Sequence, residues 1–346
     1  MIRASKVAAL LAGMVACIQP ALALAASDPS NDPNIDPKVR AFLDVINKDA
    51  TPFWELPQPK PQEILTGIQD KTPVDMSGVT TTEKTIKQDG QTVKLYIMKP
   101  KHVEGKPGVV LFIHGGVWIV GNFDNHKRLL RDMVVGSGQI GVFVEYTPLP
   151  EAKFPTQLDQ SYAALKWIAA NATEFGAEGS RIAVAGNSVG GNMSAALTLM
   201  AKDRKGPKIS YQVLLIPATD ASVDTQSYKT FDTGRFLSRD FMKYGWDRYV
   251  PIENDRNNPY VSPLRATTEQ LRDLPPALVI TAENDPLRDE GEAYAHKLME
   301  AGNDVAAVRY EGTIHDFVFL NALRDVPSTQ AAIDQINAGL REHLAK

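Results

Sequence analysis

Residues 182–201, IAVAGNSVGGNMSAALTLMA, contain two apolar runs separated by a glycine-rich break. The first run belongs to RIAVA (181–185), which is typical of a buried strand, and a helical pattern resumes near Asn192. Between them lies G-N-S-V-G, a G-x-S-x-G motif at a strand-to-helix turn. Such a turn exposes the serine hydroxyl and needs small flanking residues, because a Cβ there would clash. The stretch therefore predicts that Ser188 is a nucleophile, whereas a phosphate-binding loop would need a following Gly-Lys-Ser/Thr.

The same alternation of apolar runs and helical patterns continues along the chain. The other runs are VVLFI (109–113), VFVEY (142–146), QVLLI (212–216), ALVIT (277–281) and VAAVRY (305–310). Continuous apolar strands between amphipathic helices predict an α/β fold with a mostly parallel sheet covered on both faces. Ahead of them, TTTEKTIKQDGQTVKLYIM predicts a hairpin that turns at Asp89-Gly90.

One interval lacks this alternation. Between Pro217 and Leu274 the chain carries many aromatic residues and no clear strand. An insertion of this length is typical of a lid or a binding element. Additional helices packed on the core are the alternative, and a single sequence leaves both open.

The first 25 residues have the pattern of a secretory signal peptide. Arg3 and Lys6 precede the apolar stretch 7–18, and Ala23-Leu24-Ala25 has the small residues of a cleavage site. The apolar stretch is shorter than the roughly 20 residues of a membrane-spanning helix. We therefore expect export to a periplasm or secretion, with cleavage near Ala25. The only cysteine, Cys17, would be removed, so no disulfide is expected.

A second glycine-rich segment, HGGVW (114–118), directly follows the VVLFI run. Acyl transfer through a serine needs donors for the tetrahedral oxyanion, and backbone N–H groups in a glycine-rich loop supply them. The segment therefore predicts an oxyanion hole beside Ser188, in which His114 maintains the shape of the loop.

At this point the chain resembles the hormone-sensitive-lipase family of α/β-hydrolases, the bacterial family IV esterases. The resemblance rests on five ordered motifs: HGGVWIVGNFDNH, YTPLPEAKFP, GNSVGG, DPLRDEG and IHDF. It implies an α/β-hydrolase fold with a helical cap. The implied division is a signal peptide at 1–25, an N-terminal cap segment at 26–75, a catalytic domain at 76–217 and 266–346, and a cap insertion at 218–265.

The resemblance implies that Ser188 is the nucleophile, Asp285 the acid and His315 the base. The order Ser, Asp, His along the chain is independently that of this fold. Asp285 and His315 each follow a predicted strand, which would bring both to the sheet edge of Ser188. Glu283 and Asp289 flank Asp285, but Asp289 would open the next helix, where the helix dipole favours a carboxylate for structural reasons.

The implied oxyanion donors are the amides of Gly116, Val117 and Val189, with Gly115 as a further candidate. Two residues depart from the family pattern, because Val117 replaces the third glycine of the loop and Asn187 replaces an aspartate. A β-branched residue is a rare outlier at positive φ, so we expect Val117 at negative φ. The expected substrate contacts are Trp118, Asn187 and Phe236.

The predicted function is hydrolysis of short to medium acyl esters through an acyl-enzyme. An amidase, lactonase or peptidase that uses the same three residues is an alternative. The geometry of the cap sets the leaving-group preference and would distinguish these activities from an esterase. A ligand-binding homologue, like the plant gibberellin receptors that resemble this family, is disfavoured because those have lost the histidine that His315 represents here.

Charge and motif spacing exclude several classes of binding partner and cofactor. A net charge of −4 without a basic patch argues against nucleic acid and anionic membrane surfaces. Histidines and acids show no H-E-x-x-H or related ligand spacing, so no metal is expected. No nucleotide cofactor is expected either. The expected partner is a small ester, no membrane insertion is expected after signal removal, and assembly into a homodimer stays open.

Overall fold

The computed structural model describes residues 28–48, 51–103 and 105–344. The predicted signal peptide therefore lies outside the described residues. The chain forms a single eight-stranded sheet over these ranges. Its strands are β1 (Val79–Gln88), β2 (Gln91–Pro100), β3 (Val109–Ile113), β4 (Ile140–Glu145), β5 (Ile182–Asn187), β6 (Tyr211–Leu215), β7 (Ala277–Asn284) and β8 (Val305–Ile314).

The spatial order of the sheet is β1-β2-β4-β3-β5-β6-β7-β8. Strands β1 and β2 form the predicted antiparallel hairpin around Asp89-Gly90, and β2 is also antiparallel to β4. All pairings from β4 through β8 are parallel. Every residue of β3, β5 and β6 is buried, which requires cover on both faces and explains their uninterrupted apolar sequences.

Helices connect the parallel strands and cover the sheet. They are α1 (Pro37–Ile46), α2 (Lys60–Asp70), α3 (Phe123–Ser137), α4 (Thr156–Asn171), α5 (Val189–Asp203), α6 (Gln226–Thr230), α7 (Arg239–Tyr249), α8 (Thr268–Leu271), α9 (Arg288–Glu300) and α10 (Pro327–Leu344). Helix α3 packs against α10, and α4 packs against α5. Within the described ranges, no helix is both long and apolar enough to cross a bilayer.

This architecture confirms the predicted α/β-hydrolase fold, with one local correction. Helix α5 begins at Val189 rather than near Asn192. The chain turns so sharply after Ser188 that the glycine pair Gly190-Gly191, which the sequence pattern assigns to a turn, already has helical geometry.

The long interval between β6 and β7 contains the short helices α6, α7 and α8 and no sheet strand. Its two ends return to the same point on α5. The side-chain amide of Asn192 donates to the carbonyl of Ala218 at 2.7 Å and to that of Val261 at 2.8 Å. Asn192 is fully buried, so this double contact fixes where the interval leaves and rejoins the core.

The N-terminal segment packs against this same interval. Asp32 and Arg235 form an ion pair at 2.9 Å, and both side chains are nearly inaccessible to solvent. The side chain of Asn47, just after α1, donates to the carbonyl of Gly234 at 2.8 Å. Two segments that are far apart in sequence are therefore joined by a buried ion pair and by an exposed hydrogen bond.

The buried pair gives a stability prediction. Asp32→Ala leaves the Arg235 guanidinium buried without this carboxylate, and loss of one partner of a buried pair costs about 3–5 kcal/mol. We expect a decrease of that order in the free energy of unfolding, measured by urea titration. The matched control is Glu83→Ala, which breaks the exposed pair with Lys94 and should cost under about 1 kcal/mol. Equal effects of both substitutions would contradict the prediction.

Candidate active site

The turn between β5 and α5, residues 186–190, forms a sharp strand-to-helix elbow that carries Ser188. Ser188 has φ 55° and ψ −122°, and its amide donates to the carbonyl of Leu215 at 2.9 Å. The elbow is too tight for side chains at its glycines. A Cβ on Gly186 would lie 2.4 Å from the carbonyl oxygen of Gly190, and a Cβ on Gly190 would lie 2.1 Å from that of Ile113. The serine is thereby placed at the carboxyl edge of the sheet.

The three residues predicted to act together meet at this edge. The Nε2 atom of His315 lies 3.0 Å from the hydroxyl oxygen of Ser188. The Nδ1 atom of His315 lies 2.9 Å from Oδ2 of Asp285, and the other oxygen of Asp285 accepts from the amide of Leu287 at 2.9 Å. All three side chains are buried, so the contacts form in an environment of low polarity.

Electrostatics keep His315 basic in spite of its burial. Burial alone disfavours the imidazolium, but the carboxylates of Asp285 and Asp316 outweigh it and raise the pKa of His315 above its usual value. Both carboxylates contact or approach the ring, with Oδ2 of Asp316 at 3.8 Å from Nε2. The arrangement therefore favours proton transfer from a hydroxyl to Nε2.

The glycine-rich segment after β3 lies beside Ser188, but its backbone differs from expectation. Val117 and Trp118 have φ values of 55° and 58°, so the expectation of negative φ at Val117 is wrong. Packing holds both residues in this unfavourable region. Val117 is 2% exposed and covers Gly245 so closely that a Cβ there would lie 2.1 Å from Val117 Cγ1.

The available amide donors also differ in part. The N–H of Gly115 donates to Oδ1 of Asn187 at 3.0 Å, so Gly115 is engaged and does not serve as an oxyanion donor. Val189 is the first residue of α5, where an amide has no intrahelical acceptor. Within the described residues, the amides of Gly116 and Val117 have no backbone acceptor either. The structure thus brings together three of the four predicted donors, Gly116, Val117 and Val189.

A cavity of about 540 Å³ opens above Ser188 and His315. Its walls come from the N-terminal segment with α1 and α2, from the loop after β3, and from the interval that contains α7. The aromatic residues in its lining are Phe53, Trp54, His126, Phe236, Phe241, His315 and Phe319. The lining is mostly apolar, as in sites for small organic molecules.

Of the expected substrate contacts, Phe236 lines this cavity, whereas Trp118 and Asn187 do not. Trp118 is fully buried because its ring stacks on Tyr249 at 3.9 Å and contacts Trp246 at 4.6 Å. Asn187 is also fully buried, and its side chain is used by Gly115 and Asp316. Both side chains therefore contact other protein residues around the site and do not face the cavity.

His114 and His126 flank the loop as neutral, buried rings. Burial lowers the pKa of His114 to about 4, and its Nδ1 lies 2.7 Å from the carbonyl oxygen of Gly115. Burial likewise lowers the pKa of His126 well below its usual value. His114 stacks on Tyr146 at 4.0 Å, which agrees with a role in maintaining the shape of the loop.

Sequence reasoning missed Asp316 and the N-terminal aromatics Phe53 and Trp54. Asp316 directly follows His315, and this adjacency was the available signal for its position. The distant aromatics gave no local signal, because only the folded chain brings residues 53 and 54 over the elbow. The described residues contain no cluster of side chains suited to hold a metal ion.

Fold and site together define an α/β hydrolase. A family model described as alpha/beta hydrolase fold matches residues 110–319. A thermostable esterase from Pseudomonas putida has a crystal structure that superposes with a TM-score of 0.89, at 47% identity over 91% of this chain and 99% of that one. The arylesterase of Saccharolobus solfataricus is 36% identical over 82% of this chain and 92% of its own length.

The carboxylesterase NlhH of Mycobacterium tuberculosis is 33% identical over 90% of this chain and 97% of its own length. The chain belongs to the family of hormone-sensitive-lipase-like esterases within the α/β hydrolases. It is a carboxylesterase, an enzyme that hydrolyses carboxylic esters.

The elbow gives a second prediction. Gly190→Ala places a methyl group against the carbonyl of Ile113, so α5 must move away from β3. We expect a loss of about 2–4 kcal/mol in unfolding free energy together with most of the esterase activity. Gly67→Ala is the control, since a Cβ at this exposed position in α2 meets nothing within 4 Å and should add about 0.5–1 kcal/mol. Wild-type stability in Gly190→Ala would contradict the proposed constraint.

Proposed function

We propose that this enzyme hydrolyses short to medium acyl esters through an acyl-enzyme intermediate on Ser188. The observation that carries the proposal is the position of His315, which links the hydroxyl of Ser188 to the carboxylate of Asp285. A serine hydroxyl is a weak nucleophile at neutral pH until an adjacent base accepts its proton. These contacts are those that such activation requires.

In the proposed first step, the Ser188 oxygen bonds to the ester carbonyl carbon while its proton moves to His315 Nε2. The carbonyl electrons shift to oxygen, and the amides of Gly116, Val117 and Val189 stabilise the resulting oxyanion. Cleavage of the bond to the alcohol oxygen, with the proton returned by His315, leaves the acyl group on Ser188. Water then repeats the sequence and releases the acid. Asp285 keeps the imidazole tautomer with hydrogen on Nδ1.

The cavity supports the preference for compact acyl groups. Bulky rings from three separate segments, including Trp54, Phe236 and Phe319, contribute to its walls. These side chains favour apolar acyl groups, whereas a long extended chain needs a tunnel or an open groove. We therefore expect the highest kcat/KM between acetate and octanoate esters.

The nucleophile test compares wild type and Ser188→Ala on p-nitrophenyl esters from acetate to palmitate. We expect the substitution to lower kcat by a factor of about 10³ or more, since a nucleophile that acts with its base as a unit cannot be replaced. Circular dichroism and thermal unfolding provide the control for folding. Mass spectrometry of wild type with a phosphonate ester should show one added group on Ser188. Undiminished activity in the variant, or a steady rise to palmitate, would contradict the proposal.

We further propose that the protein is exported. The support is the order of Arg3 and Lys6, the apolar stretch 7–18 and Ala23-Leu24-Ala25. In a bacterial host with the natural leader, the mature protein should begin near Ala26 and be recovered outside the cytoplasm. N-terminal sequencing of the fractionated protein checks this, and a cytoplasmic protein that retains Met1 would contradict it.

A further inference from the structure

Asn187 and Asp316 form a buried polar pair beside the reacting groups, and Asp316 lines the same cavity as Ser188 and His315. The Nδ2 atom of Asn187 donates to Oδ1 of Asp316 at 2.8 Å. Asn187 is fully buried and Asp316 is 5% exposed, with its second oxygen 3.8 Å from His315 Nε2. Asp316 also has φ 60°, a left-handed conformation that is uncommon outside glycine but that aspartate adopts more readily than most residues. The reaction steps proposed above do not include this pair.

The orientation of the Asn187 amide follows from its neighbours. The N–H of Gly115 can only donate, so the atom of Asn187 that faces it must be the oxygen. The NH₂ group of Asn187 then faces Asp316, where it matches an ionised carboxylate that can only accept. Asn187 therefore connects the oxyanion loop to Asp316 through complementary hydrogen bonds.

We propose that Asp316 is a positioning residue that supplies a second carboxylate to the His315 imidazolium, and that Asn187 holds it in place. The inference rests on the function proposed above. Asp285 contacts Nδ1, the nitrogen away from the substrate, while Asp316 lies near Nε2, which receives and returns the proton. A carboxylate at this place stabilises the charge that forms on the ring as the serine oxygen attacks.

The identity of residue 187 is part of this arrangement. An aspartate at 187 would accept from Gly115 equally well, but it would face Asp316 across a hydrogen-bond distance. Two carboxylates at such separation cannot both stay ionised, and one would take up a proton. Burial raises the pKa of Asp316, and an asparagine at 187 opposes this rise because its NH₂ group donates to the carboxylate.

The other charged side chains that line the cavity with His315 are the exposed lysines Lys48, Lys60 and Lys71. Asp285 comes from the turn before α9, and Asp316 follows His315 in its own turn. From α3, His126 is neutral, and Arg128 pairs with Asp132 while it donates to the carbonyls of Val318 and Phe319. Asp285 and Asp316 are the two charges that raise the pKa of His315.

The expected pH dependence follows from the sign of this effect. His315 must be neutral to accept the Ser188 proton, so activity declines as the pH falls through its pKa. A carboxylate that raises this pKa moves the acid limb of kcat/KM to higher pH and makes the neutral ring a stronger base. Its removal should move the limb to lower pH and lower the plateau kcat.

Two variants test this. Asp316→Asn removes the charge and retains a hydrogen-bond acceptor for Asn187. The double variant Asn187→Asp with Asp316→Asn reverses the pair, since the new amide can donate to the new carboxylate and Gly115 keeps its acceptor. The double variant preserves net charge and the hydrogen bond but moves the carboxylate to position 187, away from its present place 3.8 Å from Nε2.

The kinetic readout is kcat/KM for p-nitrophenyl butyrate across pH, followed at the isosbestic wavelength of the phenol. One pH unit below the wild-type midpoint, both variants should retain at least about threefold more of their own plateau activity than wild type. Their plateau kcat should fall by about three- to tenfold, with KM little changed. Asp289→Asn is the control for loss of a nearby carboxylate and should leave the acid limb unchanged.

A second readout needs no turnover. In the Ser188→Ala background, NMR titration of labelled His315 should show a lower pKa with Asp316→Asn than without it. An unchanged titration and acid limb would overturn the inference, including the case in which only kcat falls. Absence of esterase activity in wild type would instead contradict the proposed function, while the titration would still decide the role of Asp316.

Discussion

Ser188 and the loop after β3 are placed by the close approach of two backbone segments, the first turn of α5 and the carboxyl end of β3. A methyl group on Gly190 would lie 2.1 Å from the carbonyl of Ile113, so this approach exists only because the residue is glycine. It holds Ser188 in a strained conformation at the wall of the cavity, directly before the start of α5. It also places the loop after β3 within reach, because a Cβ on Gly115 would lie 3.0 Å from that of Ser188.

The strained backbone of the loop after β3 is stabilised by packing against α7. Consecutive positive φ values at Val117 and Trp118 each cost of order 1–3 kcal/mol. The indole of Trp118 stacks on Tyr249 and contacts Trp246, both on α7, and Val117 fits over Gly245 of the same helix. Helix α7 therefore fixes the loop after β3 and also contributes to a wall of the cavity, so a substitution in α7 would alter both.

Much of this fold could be predicted from sequence, because buried parallel strands have uninterrupted apolar runs and the elbow has a strict glycine requirement. The order of the motifs also predicted that Ser188, Asp285 and His315 lie at one edge of the sheet. The failures concern tertiary packing. Val117 adopts positive φ because α7 covers it, and Trp118 turns away from the cavity for the same reason. Local propensity carries no information on a helix that lies over a hundred residues further along the chain.

The anchoring of the long interval at Asn192 has an evolutionary consequence. One amide nitrogen contacts the carbonyls of both Ala218 and Val261, so the two ends of the interval leave the core side by side. A segment with adjacent ends can change in length and sequence without moving the strands that flank it. Substrate range can thus diverge among descendants through replacement of this segment, while Asn192 keeps each new version in register with the unchanged chemistry beneath it.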